Sequence, residues 1–187
     1  ERHELRSPSA LHAEGNQDLS SLERLRRRLQ FAEERLTRLE VDDVVAVGDV
    51  ALLLQRAALV ERLGAKIDRI VVELGGAGHL ISVQAADLME GVHDLAVLVY
   101  SDYARQRRSG PKVFDRLTAI RTEDLHDTQL VADELGFGPL DESTRPRGVR
   151  ALEQVPRLPE SVKDALLAHF RSFPKLLHAS AEDLATV

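Results

Sequence analysis

The chain has 187 residues, 43% of them hydrophobic but only 4% aromatic, no tryptophan and no cysteine, and a net charge of −6. That length suits one or two small domains with an aliphatic core, and the lack of cysteine excludes disulfides, thiolate nucleophiles and cysteine-ligated metals while fitting a reducing, cytoplasmic setting. The acidic balance argues against a surface that binds polyanions as a whole, and the longest apolar run, Leu95 to Tyr100, is six residues, far too short to span a membrane.

Residues 1–15 are polar, broken by Pro8 and without an apolar signal core, which predicts an irregular arm. The chain begins with Glu1, and its single methionine is Met89, so it reads as a piece of something longer. Asn16 to Glu40 is the first long helix. Leu22, Leu25, Leu29, Ala32, Leu36 and Leu39 advance by three or four residues, a heptad seam. Glu23–Arg27 and Glu34–Arg38 have the favourable order for pairs one helical turn apart, worth about 0.3 kcal/mol each. The seam is short. An intramolecular helix pair is the plainer reading, and a self-associating coiled coil, hence a homo-oligomer, is the sharper one. Arg26-Arg27-Arg28 sits among acids and reads as a solvated face.

Val41 to Gly48 forms a short link, after which Asp49 can cap a second long helix, Val50 to about Leu74. Its apolar residues Leu53, Ala57, Val60, Gly64, Ile67, Val71 and Leu74 again step by three or four. At 1.5 Å per residue this rod is about 37 Å long and pairs antiparallel with the first. Gly75-Gly76-Ala77-Gly78 resembles a phosphate loop only superficially: no strand pattern precedes it and no Gly-Lys-Ser/Thr follows, so it reads as a helix stop. His79 to Gly91 predicts a short helix capped near Ser82. Asp94 to Tyr103 fits either a buried strand or a buried helix, and helix is preferred because no second strong strand offers itself for pairing. Ala104 to Pro111 is a basic linker. Lys112 to Phe137 holds two short helices with cap candidates at Thr122 and Thr128, and Leu140 to Pro146 leads to the C-terminal part.

From Asp141 onward seven basic and seven acidic residues balance; the eighteen basic and twenty-four acidic residues before it carry all of the −6. Arg145, Arg147, Arg150 and Arg157, with Glu153 among them, form a local basic patch. Within this part Val149, Leu152 and Val155 mark one short apolar face, and Val162, Leu166 and Phe170 mark another. Ser172 can cap Phe173–Ala179, and Ser180 with Asp183 forms a capping box for Ala181–Val187. Helix, tight turn, helix, repeated, is the outline of tandem helix-hairpin-helix units, which hold the nucleic-acid backbone without reading sequence. The physical basis is the unpaired N–H groups and partial positive charge of a helix N-terminus. In Val155-Pro156-Arg157-Leu158-Pro159 the prolines remove two donors. The N–H groups of Arg157, Leu158, Glu160 and Ser161 remain, with the Arg157 side chain as a cation and Arg147, Arg150 and Lys163 nearby. A plain turn stiffened by proline fits the same residues.

The corner Val155–Pro159, Leu166-Leu167-Ala168-His169-Phe170, and the stretch Leu176-Leu177-His178-Ala179-Ser180-Ala181-Glu182-Asp183-Leu184 together resemble the C-terminal domain of the bacterial DNA integrity scanning family of diadenylate cyclases. Asn16-Gln17, Leu22-Glu23-Arg24, Asp49-Val50-Ala51-Leu52, Gln55-Arg56, Val71-Val72-Glu73-Leu74-Gly75, Gln84 and Asp102-Tyr103 fall in the order of that family's central helical domain. Gly48 and Ser101 depart from it, standing where larger polar or basic residues are expected. The resemblance covers about Leu5 to Val187. It implies an all-α chain: a long antiparallel helix pair within a bundle, residues 16–140, followed by a small helix-hairpin-helix domain, residues 141–187. In the family a glycine-bearing second hairpin comes next, whereas here the chain stops at Val187.

The resemblance further implies that catalysis belongs to an N-terminal cyclase domain with Asp-Gly-Ala and Arg-His-Arg motifs for ATP and a divalent metal. Neither motif occurs here, and Arg2-His3-Glu4 is not the second, so no cofactor is expected in this chain. The seven histidines include no pair four residues apart, and no serine has a nucleophile-elbow context. The expected function is therefore the non-catalytic, DNA-binding and regulatory portion of such a cyclase. Branched or double-stranded DNA and the parent's cyclase domain would be its partners, and branched DNA would lower production of cyclic di-AMP. The alternative is a helical oligomerisation module with a vestigial hairpin.

Overall fold

The computed structural model describes residues 7–104 and 107–187. Among them every regular element is helical, and the only β pairing is a single bridge.

The first helix, α1, runs Pro8–Val41. It starts eight residues before the predicted start, inside the stretch read as an irregular arm. Ser7 supplies the reason: its hydroxyl accepts the Ala10 N–H at 3.2 Å, and Pro8 takes the first helical position, where no N–H is needed. Leu11 and Gly15 then extend the buried stripe backward from Leu19 and Leu22. Residues 1–6 of the predicted arm lie outside the described residues. At its far end α1 closes with a Schellman pattern. The Val44 N–H donates to Leu39 O and the Asp43 N–H to Glu40 O, with Asp43 left-handed at φ 55°.

The second helix, α2, spans Val47–Leu74 and returns along α1. Ala46, not Asp49, is the N-cap; Asp49 stands at the third helical position, where its carboxylate accepts the Ala46 N–H at 3.2 Å and holds Arg35 of α1 at 3.1 Å. Leu22, Leu29 and Leu36 on α1 and Leu53, Val60 and Ile67 on α2 have no exposed surface. The heptad seam thus packs inside the chain, the plainer of its two readings. The Gly75–Gly78 stretch is a short 3-10 turn with Gly75 at φ 57°, leading straight into α3, His79–Met89. Ser82 lies within α3 rather than at its cap. Two helical glycines let α3 pack closely. A methyl at Gly15 would meet Ile81 at 2.8 Å, and one at Gly64 would meet the Met89 sulfur at 2.6 Å.

The ambiguous apolar run is a helix, α4, Val92–Tyr103. Ala96, Val99 and Tyr100 are buried, and the Tyr100 hydroxyl donates to Leu135 O at 2.9 Å. Part of the predicted linker after it is outside the described residues; Arg107–Lys112 is a 3-10 turn. Helices α5, Val113–Ala119, and α6, Thr128–Glu134, cover the α2–α4 side. Asp127, not Thr128, caps α6, accepting the N–H groups of Gln129 and Leu130 at 2.9 and 3.1 Å. Thr122 caps nothing; its hydroxyl accepts from Arg62. The following strap lies along the α1–α2 link. Gly48 donates to Leu140 O at 2.8 Å, Val47 to Glu142 O at 2.9 Å, and Thr144 to Val45 O at 2.9 Å. A side chain at Gly48 would press on Leu140 O at 3.1 Å, which explains the small residue there.

The C-terminal helices are short: α7 (Val149–Glu153), α8 (Glu160–Phe170), α9 (Phe173–Leu177) and α10 (Ala181–Ala185). The first three share a small core of Leu152, Leu166 and Leu167, flanked by Val149, Leu158, Phe170 and Leu176, while α10 buries no residue. Val155 and Val162, assigned to apolar faces from spacing, are 44% and 40% exposed.

Candidate nucleic-acid interface

The corner between α7 and α8 is built from Val155 to Ser161. The Leu158 N–H reaches back to Val155 O at 3.4 Å, closing a four-residue turn. Pro156 stands at its second position and Arg157 at its third, with φ +60°. That arrangement matches a type II turn, whose third position normally holds glycine or asparagine. Pro159 then serves as the N-cap of α8. It is extended, and its carbonyl accepts the N–H groups of Val162 and Lys163 at 3.0 and 3.1 Å. The Leu158 donor is therefore used by the turn, which corrects its assignment as open to a ligand. The N–H groups of Arg157, Glu160 and Ser161 have no backbone acceptor among the described residues, and all three residues are exposed.

The predicted cations separate into two sets. Arg157 is exposed at the corner. Lys163 is beside it, but its ammonium sits 2.8 Å from the Glu153 carboxylate and 3.4 Å from that of Glu160. Hydrogen bonding to Glu153, reinforced by both acidic charges, holds the Lys163 ammonium above its ordinary range. Arg147 and Arg150 face the other way, which corrects their assignment to the phosphate surface. The Arg147 guanidinium donates to Ser101 O at 3.2 Å and to Ala104 O. Arg150 is buried, with its guanidinium 2.6 Å from Glu40. The basic patch inferred from spacing is thus split between the surface and a structural joint.

That joint was missed from sequence. Asp102, buried at the end of α4, accepts the N–H groups of Gly148, Val149 and Arg150 at 2.8, 2.6 and 3.0 Å. Burial pushes its carboxyl up; the three donors and the Arg150 charge pull it down. Burial likewise raises Glu40, against the opposing pull of Arg150 and of the Tyr103 hydroxyl, which donates at 2.7 Å. The available signal was an acid in register with Ala96 and Val99 on a buried face, matched by an arginine beside a glycine. Elsewhere among the described residues no group of three or more His, Cys, Asp or Glu side chains is placed to hold a metal ion. No described helix is long and apolar enough to cross a membrane.

Residues 5–144 match the family model described as the DisA bacterial checkpoint controller linker region. The chain belongs to the DisA family. Over its whole length it is 40% identical to the DNA integrity scanning protein DisA of Acidothermus cellulolyticus. It is 38% identical to that of Streptomyces griseus subsp. griseus and 39% identical to that of Kineococcus radiotolerans. It covers 53%, 52% and 54% of those three proteins, so the chain spans about half the length of the DisA relatives it matches. The DisA linker match ends at Thr144, within the strap that leads into α7.

Proposed function

We propose that this chain is the DNA-binding and regulatory portion of a DisA-type, cytoplasmic diadenylate cyclase, with residues 16–140 acting as a spacer and residues 141–187 as the nucleic-acid module. In this reading the parent makes cyclic di-AMP from ATP in a separate domain that would hold a divalent metal, and branched DNA at the hairpin lowers that activity. The observation that carries the proposal is Arg157. An arginine held left-handed at an exposed turn is costlier than the glycine this position prefers, and strain of this kind clusters at functional sites, although Asp43 and Arg171 share the same backbone region. The N–H groups of Glu160 and Ser161 at the start of α8 support it, since they face an incoming phosphate with the favourable end of the helix dipole.

Binding by this surface is weak. Lys163 is already shared with two carboxylates, and Glu160 places a negative charge in the first turn. A fluorescently labelled four-way junction titrated with the chain at low salt tests the proposal by anisotropy. Saturable binding that falls away with added salt supports it; no binding at low salt refutes it.

A further inference from the structure

The five residues of α7 connect the Val155–Ser161 corner to a buried polar joint. At the start of α7 the Asp102 carboxylate takes three consecutive backbone N–H groups. Such a cap, supplied by a distant helix, fixes both the position and the direction of a short helix. From the same turn the Arg150 side chain crosses to α1, where Nη2 lies 2.6 Å from Glu40 Oε2 and 3.2 Å from Thr37 Oγ1. The Tyr103 hydroxyl fills the other Glu40 oxygen, and Arg147 anchors the preceding residue to the end of α4. Every charged group facing the joint, Glu40, Asp102, Arg147 and Arg150, therefore ties the hairpin to α1 or α4. A cavity of about 100 Å³ lies beside it, lined in part by Thr37, Glu40, Asp102, Arg150 and Phe173. That is room for several waters. Arg150 Nη1 has no partner among the described residues.

Between the anchored Arg147 and the capped α7 stands Gly148, at φ +107°. It is the natural pivot, because only glycine adopts that backbone freely. The Phe173 N–H, 2.8 Å from Pro146 O, and the packing of α9 on α1 are further ties. We infer that Asp102, Glu40 and Arg150 are positioning residues that lock α7, and with it the proline corner, in one orientation relative to the α1–α2 rod. Without them the hairpin stays folded on its own Leu152–Leu166–Leu167 core but swivels about Gly148. What the lock presents rests on the phosphate-facing reading of the corner; the lock itself does not.

The cysteine-free sequence makes the test clean. Spin labels on Arg27→Cys of α1 and Ala168→Cys of α8, both exposed positions, report the rod-to-hairpin distance by pulsed electron resonance. The parent double-label protein gives one narrow distribution. Asp102→Ala and Arg150→Met at least double its width while far-UV circular dichroism is unchanged, and Asp102→Asn and Glu40→Gln fall between. A width equal to the parent's in Asp102→Ala and Arg150→Met overturns the inference. Should those two variants fail to fold, unchanged widths in Asp102→Asn and Glu40→Gln overturn it instead. Junction binding by the same labelled protein is scored separately, so failure of the corner to bind DNA is distinguishable from failure of the lock.

Discussion

Arg157 occupies a backbone region that costs an ordinary residue about 1 kcal/mol and glycine nothing. Arg157→Gly removes that strain, offset in part by the greater freedom of glycine in the unfolded chain. A net gain of about 0.5 kcal/mol in urea unfolding is expected, together with a loss of junction affinity. Stability and affinity moving in opposite directions is the mark of a residue kept for contact rather than for folding. The arginines also show where sequence reading runs out. Arg147, Arg150, Arg157 and Lys163 lie close in sequence, and their spacing says nothing of direction. Arg157 faces out because a proline turn expels it, whereas Arg150 faces in because Glu40, 110 residues away, neutralises it. A partner so remote leaves no local pattern to read.

Among the elements, the long helices were legible because their apolar period is strong and their length sustained. Their ends were less so. Pro8 suggested a break, yet with Ser7 before it the same proline opens α1. Leu29, part of the seam on that helix, is fully buried. Leu29→Asp therefore places an unpaired charge in the core. It should cost about 4 kcal/mol or more and lower Tm by about 10 °C, at any protein concentration. Concentration-dependent melting of the unsubstituted chain would contradict the intramolecular assignment. The capping box of α10 was also legible, from Ser180 and Asp183 alone. There the Ser180 hydroxyl and N–H both donate to Asp183, holding its carboxyl below the ordinary carboxylate range. A depressed folded-state pKa contributes stability present above the unfolded value, 3.8, and lost as pH falls through the folded one. The amide shifts of Ala181–Ala185, followed by NMR, should move toward coil values as the pH falls below about 4, and Asp183→Asn should abolish that dependence.

For the whole molecule, charge and fold point the same way. The net acidity lies entirely in the first 140 residues, the α1–α6 body, while the C-terminal helices are neutral and carry the exposed Arg157. An acidic body holding a neutral tip confines any phosphate contact to that tip and keeps nonspecific binding low. The DisA linker match covers residues 5–144, the α1–α6 body and most of the strap. The buried joint of Asp102, Glu40 and Arg150 ties the C-terminal helices to both α1 and α4.

The most direct test is anisotropy of a labelled four-way junction titrated with the chain from about 50 mM salt upward, alongside Arg157→Ala. With Arg157 as the one predicted site cation at the corner not already paired with an acid, binding should fall with a log–log salt slope of about −0.9, and the substitution should bring that slope close to zero. No binding at the lowest salt, or an unchanged slope in Arg157→Ala, would contradict a phosphate-facing corner.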